Sequence, residues 1–152
     1  MAKRKRSERL EPVRKVAGRD EQDASRELAR SQQVLAEQES RLEQLRNYRD
    51  EYRRMLSGGG GQAVDPRRLR DQRAFLARLD EVIEQQEQVV RKSQEQYEQQ
   101  RSGWIDARSR VNALGQAADR YRRDEQRSAD RREQREQDDL AQKDNGGPGS
   151  GD

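Results

Sequence analysis

The chain contains neither cysteine nor histidine. Disulfides, thiolate or imidazole metal ligands and the usual nucleophile–base pairs are therefore excluded. An enzyme built only on Asp, Glu, Lys, Arg and Tyr would need a cavity that shifts their pKa values. Because the sequence has too few apolar residues to wall such a cavity, it predicts a non-enzymatic protein without cofactor or metal.

Apolar side chains are scarce, since 28% of the 152 residues are hydrophobic and the aromatic residues are four Tyr, one Trp and one Phe. This is too little to surround an ordinary globular core, whereas an elongated helical protein needs no such core. No apolar run approaches the roughly 18 residues of a membrane span, and the first residues lack a signal peptide's apolar stretch. A cytoplasmic protein is the expectation.

Charge is abundant but balanced, with 33 Lys and Arg against 30 Asp and Glu. Such mixed charge is typical of a solvated helix surface with pairs three and four residues apart, and it does not imply nucleic acid. The first eight residues are predominantly basic and are interpreted as a flexible leader. A leucine-zipper transcription factor is disfavoured, because Pro12 would interrupt its continuous basic helix.

A heptad series of apolar residues is the strongest positive feature. Residues seven apart return to nearly the same helix face, so the series predicts a coiled-coil seam that another helix must cover. A companion line three residues further on is interrupted by polar residues, which weakens the seam. Its apolar members are Leu79, Ala107, Leu114 and Tyr121, and its polar members are Gln72, Gln86, Ser93 and Gln100. The main series consists of Leu69, Leu76, Ile83, Val90, Tyr97, Trp104, Val111 and Ala118.

A glycine-rich segment at 58–65 separates this helix from an earlier one. Four consecutive glycines disfavour a helix by about 1 kcal/mol each relative to Ala, and Asp65 before Pro66 is typical of a helix N-cap and first residue. The pattern predicts helix one at about 10–57 and helix two at about 66–143. Together they form an antiparallel coiled-coil hairpin spanning 9–143, after the basic leader 1–8 and before a disordered tail 144–152.

Within helix one, the seven-residue steps are joined by a step of four between Ala24 and Leu28, which predicts a stutter. Pro12 favours a helix start near Leu10 or Glu11. Helix two continues from Tyr121 with few apolar residues, so the fold class is an all-α two-helix hairpin in which helix two overhangs helix one.

More apolar residues lie near the hairpin turn than a two-helix seam requires. Two interpretations stay open: these residues widen the seam, or they form a partner surface. They are Tyr48, Tyr52 and Met55 in helix one, and Phe75, Val82 and Val89 in helix two.

Four segments resemble the flagellar FliJ family in order and spacing: RLEPVRKVA at 9–17, LRNYRDEY at 45–52, QRAFLARLDEVIEQQ at 72–86 and REQREQDDLAQK at 132–143. The resemblance implies a two-helix coiled coil similar to the central stalk of rotary ATPases. It also implies a role in the cytoplasmic part of the flagellar type III export apparatus, at the cytoplasmic face of the inner membrane. The implied partners are the hexameric export ATPase and its regulator, the membrane export-gate protein and export chaperones.

The resemblance also implies two protein-binding sites and membrane association through partners only. The gate-facing positions are Leu45, Tyr48, Tyr52, Phe75 and Leu79. The positions facing the ATPase ring are Leu10, Pro12, Val13 and Tyr121. Two alternatives remain open, namely the equivalent stalk of a virulence injectisome and a homodimeric coiled-coil scaffold without an ATPase partner.

Overall fold

The computed structural model describes residues 3–58 and 65–146, and within these ranges the chain forms two α-helices, α1 (Arg6–Ser57) and α2 (Pro66–Asn145). The helices pair antiparallel, which confirms the predicted all-α two-helix hairpin. Most of the glycine-rich segment and most of the predicted tail lie outside the described residues. By contact, the chain divides into a terminal unit (Met1–Glu21 with Ala107–Asp152) and a central unit (Gln22–Asp106).

The start of α2 follows from local chemistry. The Asp65 carboxylate accepts a hydrogen bond from the Arg67 backbone N–H at 3.2 Å, and the Asp65 carbonyl accepts one from Leu69 at 3.1 Å. Pro66 then occupies the first helical position, where its missing N–H costs nothing. The predicted N-cap at Asp65 is therefore confirmed.

The start of α1 differs from the prediction. The helix begins at Arg6 rather than near Leu10, so Pro12 lies inside it and the carbonyl of Glu8 loses its helical hydrogen-bond donor. Pro12 is exposed, which leaves that carbonyl open to water. The extra turn is held by tertiary contacts: Ser7 hydrogen-bonds Glu125, and the Arg6 guanidinium lies 5.8 Å from the ring centre of Tyr121.

In the central unit, Leu42, Leu79 and Ile83 form a buried cluster, against which Leu45 and Val90 pack. Buried and half-buried residues of α2 alternate in steps of three and four, as the heptad series predicted. The first member, Leu69, is an exception at 39% exposure. The seam residues in this unit are Gln72, Leu76, Leu79, Ile83, Gln86, Val90, Ser93, Tyr97, Gln100 and Trp104.

Polar residues occupy the seam positions of α1 at which the apolar series has gaps. Buried and half-buried positions run through Glu21, Ala24, Leu28, Ser31 and Leu35 in unbroken steps of three and four. The predicted stutter is therefore wrong, because the step from Ala24 to Leu28 is one ordinary step of a regular heptad. The Ser31 hydroxyl donates to the Leu28 carbonyl at 2.8 Å, which satisfies a polar group at the seam.

Gln86 is the best-satisfied polar residue in the central seam. Its side-chain nitrogen donates to the Gln38 side-chain oxygen at 2.8 Å and to the Gln38 carbonyl at 3.1 Å. A buried polar residue that finds its partner in only one alignment helps to fix the register of a coiled coil. The Gln38–Gln86 contact therefore specifies how α1 and α2 align in this unit.

The terminal unit has a thinner seam, whose buried apolar residues are Ala17 and Ala118. Pairing with α1 extends to Glu125, four residues beyond the predicted start of the overhang at Tyr121. From Gln126 to Gly146 every described residue is exposed. This segment of α2, Gln126–Asn145, is named the overhang below.

Candidate protein-binding surfaces

Three aromatic residues of the central unit form a contact between the helices, here named the aromatic cluster. The ring centres of Tyr52 and Phe75 lie 4.8 Å apart with a tilt of 55°, and those of Tyr48 and Phe75 lie 6.3 Å apart, edge to face. Both distances fall in the range of favourable aromatic pairs. Tyr48 is 50% and Phe75 is 37% exposed, so the cluster both joins the helices and faces solvent.

The five positions implied to face the export gate divide into two groups. Leu79 is buried in the seam, and Leu45 packs against the same cluster. Tyr52 is a half-buried seam residue, whereas Tyr48 and Phe75 lie at the side of the seam and expose much of their rings. A partner can therefore touch the aromatic rings directly, while the leucines hold the helices that present them.

The exposed apolar residues near the cluster follow heptad lines on both helices. Because residues seven apart share a face, these lines define one side of the helix pair, here named the apolar flank. Each member is between 37% and 68% exposed, so none of them fills the seam. The flank consists of Val34, Tyr48, Met55, Phe75, Val82 and Val89.

The opposite side of the central unit is ionic. Arg46 forms an ion pair with Glu87 at 3.3 Å. Asp80 forms ion pairs with Arg49 at 3.6 Å and with Arg53 at 3.8 Å. Such exposed pairs stabilise the helices only slightly, but they match charges between α1 and α2. These five charged side chains thus have partners within the chain, whereas the apolar flank exposes apolar side chains to solvent.

Sequence reasoning missed Val34 and Arg49. Val34 stands two heptads before Tyr48, but Arg41 lies between them and interrupts the apolar series. Arg49 occupies a seam position, which a search for apolar residues passes over. Its Nε is buried and forms no hydrogen bond, while its terminal nitrogen reaches Asp80. The signal in both cases was the heptad spacing itself, read without regard to residue type.

In the terminal unit, Ser7 of α1 binds Glu125 of α2 closely. The Ser7 hydroxyl lies 2.7 Å from one carboxylate oxygen and 3.0 Å from the other, and the Ser7 backbone N–H donates at 3.2 Å. These bonds, the hydroxyl bond foremost, lower the pKa of Glu125 against an opposing effect of desolvation, with help from Lys5 and Arg122. The carboxylate is therefore held ionised at the start of α1.

The positions implied to face the ATPase ring lie in the terminal unit, at different degrees of exposure. Pro12 is exposed and Val13 is 48% exposed, so both can contact a partner. Leu10 and Tyr121 are half-buried, and the Arg6 guanidinium lies over the Tyr121 ring. Tyr121 is thus paired with α1 and is not part of the overhang.

The overhang has one large apolar residue, Leu140, which is 63% exposed. Its first part is net positive, with four arginines against two carboxylates between Arg127 and Arg135, and its second part is net negative, with four carboxylates against one lysine between Glu136 and Asp144. Within the described residues, no helix is long and apolar enough to cross a membrane, and no cluster of three or more acidic side chains is arranged to hold a metal ion.

Comparison with known proteins gives one finding. Searches of curated proteins and of solved structures return no match. The family model described as "Flagellar FliJ protein" matches residues 6–146, which is nearly the whole chain and covers both helices. The chain therefore belongs to the FliJ family of flagellar proteins.

Proposed function

We propose that this chain is a non-enzymatic central-stalk component of the flagellar type III export apparatus. In this role it binds the hexameric export ATPase with its regulator and promotes assembly and activity of the ATPase. It also couples the ATPase to the membrane export gate and to substrate chaperones. It is located at the cytoplasmic face of the inner membrane, where its partners hold it.

The observation that carries the ATPase contact is the overhang, a helical segment of α2 in which every residue is exposed. An isolated charged helix is marginal in water, since ordering each residue costs roughly 1 to 2 kcal/mol of backbone entropy. A segment of this kind is stabilised as a helix when a partner protein supplies contacts to it. Exposed Pro12 and Val13 on α1 add apolar surface in the same unit.

Truncation after Glu125 tests this contact. The shortened chain keeps the Ser7–Glu125 hydrogen bonds, so its helix pairing should persist in circular dichroism, while its stimulation of ATP hydrolysis should be lost. The matched control removes only residues 147–152 and should stimulate the ATPase as the full chain does. If the chain truncated after Glu125 stimulates fully, the overhang does not bind the ring.

The gate contact is proposed for the exposed rings of the aromatic cluster. Tyr48→Ala and Phe75→Ala should each weaken binding to the cytoplasmic domain of the gate protein by about 1 kcal/mol or more, the scale of interface hot spots. Ile105→Ala is the control, because Ile105 is 45% exposed in the same unit but lies off the apolar flank. If all three variants bind the gate domain equally well, the aromatic cluster is not the gate-binding surface.

A further inference from the structure

The apolar flank extends well beyond the aromatic cluster. On α1 it runs from Met55 to Val34, which is 21 residues in sequence and about 30 Å at the rise of an α-helix. On α2 it runs from Phe75 to Val89. Two parallel heptad lines of apolar residues, of which the α1 line is interrupted by Arg41, border the shallow groove between the helices.

We propose that this groove binds one amphipathic α-helix of a partner protein, which lies along α1 and α2 as the third member of a helical bundle. The proposal deepens the gate or chaperone contact proposed above and rests on it. A heptad-spaced surface fits a helix, because apolar residues of a helix recur at the same interval. A β-strand presents side chains every second residue and would match only scattered members of the flank.

The charges beside the groove indicate that the partner helix is acidic. Arg41 lies on the same line as Val34 and Tyr48, while Arg78 and Lys92 stand three residues after Phe75 and Val89.

All three cations are exposed, and in the described part of the chain none of them is ion-paired. Two acidic residues also border the groove on α1: Glu37, three residues after Val34, accepts a hydrogen bond from Gln33 at 3.5 Å, and Glu51 stands three residues after Tyr48. Acidic residues beside the apolar line of a partner would find unpaired cations here.

A second copy of this chain is a poorer occupant. Its apolar flank would bring the same three unpaired cations towards those of the first copy, and like charges across an interface oppose association. A separate protein with acidic residues beside its apolar line has no such conflict. The groove is therefore assigned to a helix from another protein.

The test uses the full chain and a labelled synthetic helix of about 20 residues, with Leu at the a and d heptad positions and Glu at e and g. Fluorescence anisotropy should show binding, whereas a peptide of the same composition in shuffled order should not bind. Val89→Glu and Val34→Glu, on different helices, should each weaken binding at least tenfold. Gln88→Glu, an exposed neighbour of Val89, adds the same charge and should leave binding unchanged.

Charge reversal gives a second measurement. Arg78→Glu should weaken binding of the Glu-flanked peptide and strengthen binding of a Lys-flanked version of the same peptide. The proposal is overturned if Val89→Glu binds as the wild type does, or if the shuffled peptide binds equally well. It is also overturned if light scattering finds a wild-type dimer that Val89→Glu dissociates, since a second copy would then occupy the groove.

The result separates this inference from the gate contact itself. If Tyr48→Ala no longer binds the gate domain while Val89→Glu still binds both the gate domain and the peptide, the gate contact stands and the helix-binding groove fails. If both variants keep the gate domain but Val89→Glu loses the peptide, the groove stands and serves a different helical partner.

Discussion

The central and terminal units use the same seam spacing but fill it with different side chains. The central unit buries Leu35, Leu42, Leu79 and Ile83, whereas the terminal unit buries alanine. A fully buried leucine or isoleucine stabilises by about 1.5 to 3 kcal/mol, and alanine contributes far less. The comparison indicates that the central unit holds the hairpin together, while the terminal unit opens at a lower cost in free energy.

The terminal unit joins its helices by polar contacts as well. Ser7 binds Glu125, and Arg6 covers Tyr121, in positions that are exposed or half-buried. Such contacts are weakened by solvent and salt, so they add little to stability but define where pairing stops. The terminal unit is therefore expected to open locally more often than the central unit.

Ile83→Ala should have the largest effect, because Ile83 is only 2% exposed in the central cluster. We expect the free energy of unfolding to fall by about 2 kcal/mol or more. Ile105→Ala removes the same atoms from a residue that is 45% exposed and should cost about 0.5 kcal/mol or less. Urea titrations followed by circular dichroism would measure both, and equal losses would contradict the assignment of the core.

Gln86→Ala should cost about 1 kcal/mol, since it removes two hydrogen bonds to Gln38. Gln86→Leu should instead raise the unfolding midpoint, because an apolar residue there extends the Leu79 and Ile83 seam. Disulfide crosslinking of introduced cysteine pairs would show whether the Leu variant also populates other registers. If Gln86→Ala leaves the free energy of unfolding unchanged, Gln86 does not help to fix the register.

Gly115→Ala in the terminal unit and Gly103→Ala in the central unit should each stabilise by about 0.5 to 1 kcal/mol. A Cβ added at either glycine has no atom within 4 Å, so alanine stabilises the helix without a steric clash. Gly58→Ala is the control, since its Cβ would lie 3.3 Å from the Arg54 carbonyl oxygen. Thermal melts would rank the three, and destabilisation by Gly115→Ala would reveal a need for glycine there.

Ser7→Ala should have the smallest effect on stability and a clear effect on titration. Folding lowers the pKa of Glu125, so this carboxylate contributes stability above its unfolded pKa and loses it as pH falls through the lowered value. Without the Ser7 hydroxyl, the pKa of Glu125 should rise towards its ordinary value, as a pH titration by NMR would show. Ser128→Ala, an exposed serine of the same helix, should leave that pKa unchanged.

Much of the fold was predictable because periodicity survives in a charged sequence. The α2 heptads from Leu76 to Ala118, the N-cap at Asp65 and the pairing around the glycine-rich segment followed from spacing and local chemistry. The α1 seam was harder to predict, because polar residues such as Ser31 and Gln38 occupy seam positions. Their role becomes visible only when a second helix covers them.

The exposure of the candidate site residues was predictable in part. The sequence singled out Tyr48 and Phe75 as surplus to a two-helix seam, and both are exposed beside it. It could not separate them from Leu45 and Leu79, because all four residues are apolar and lie close along the helices. Exposure depends on which face turns towards the partner helix, and this is a property of the pair.

The sequence by itself determined the class of this protein: the absence of cysteine and histidine, the scarcity of apolar residues and the seven-residue repeat leave a helical hairpin. Only the tertiary structure decided where α1 begins, where pairing ends and which flank stays apolar. The start at Arg6 depends on Ser7, Tyr121 and Glu125, contacts more than 100 residues apart in sequence. Local propensity favours a break at Pro12, but contacts from the distant helix outweigh it.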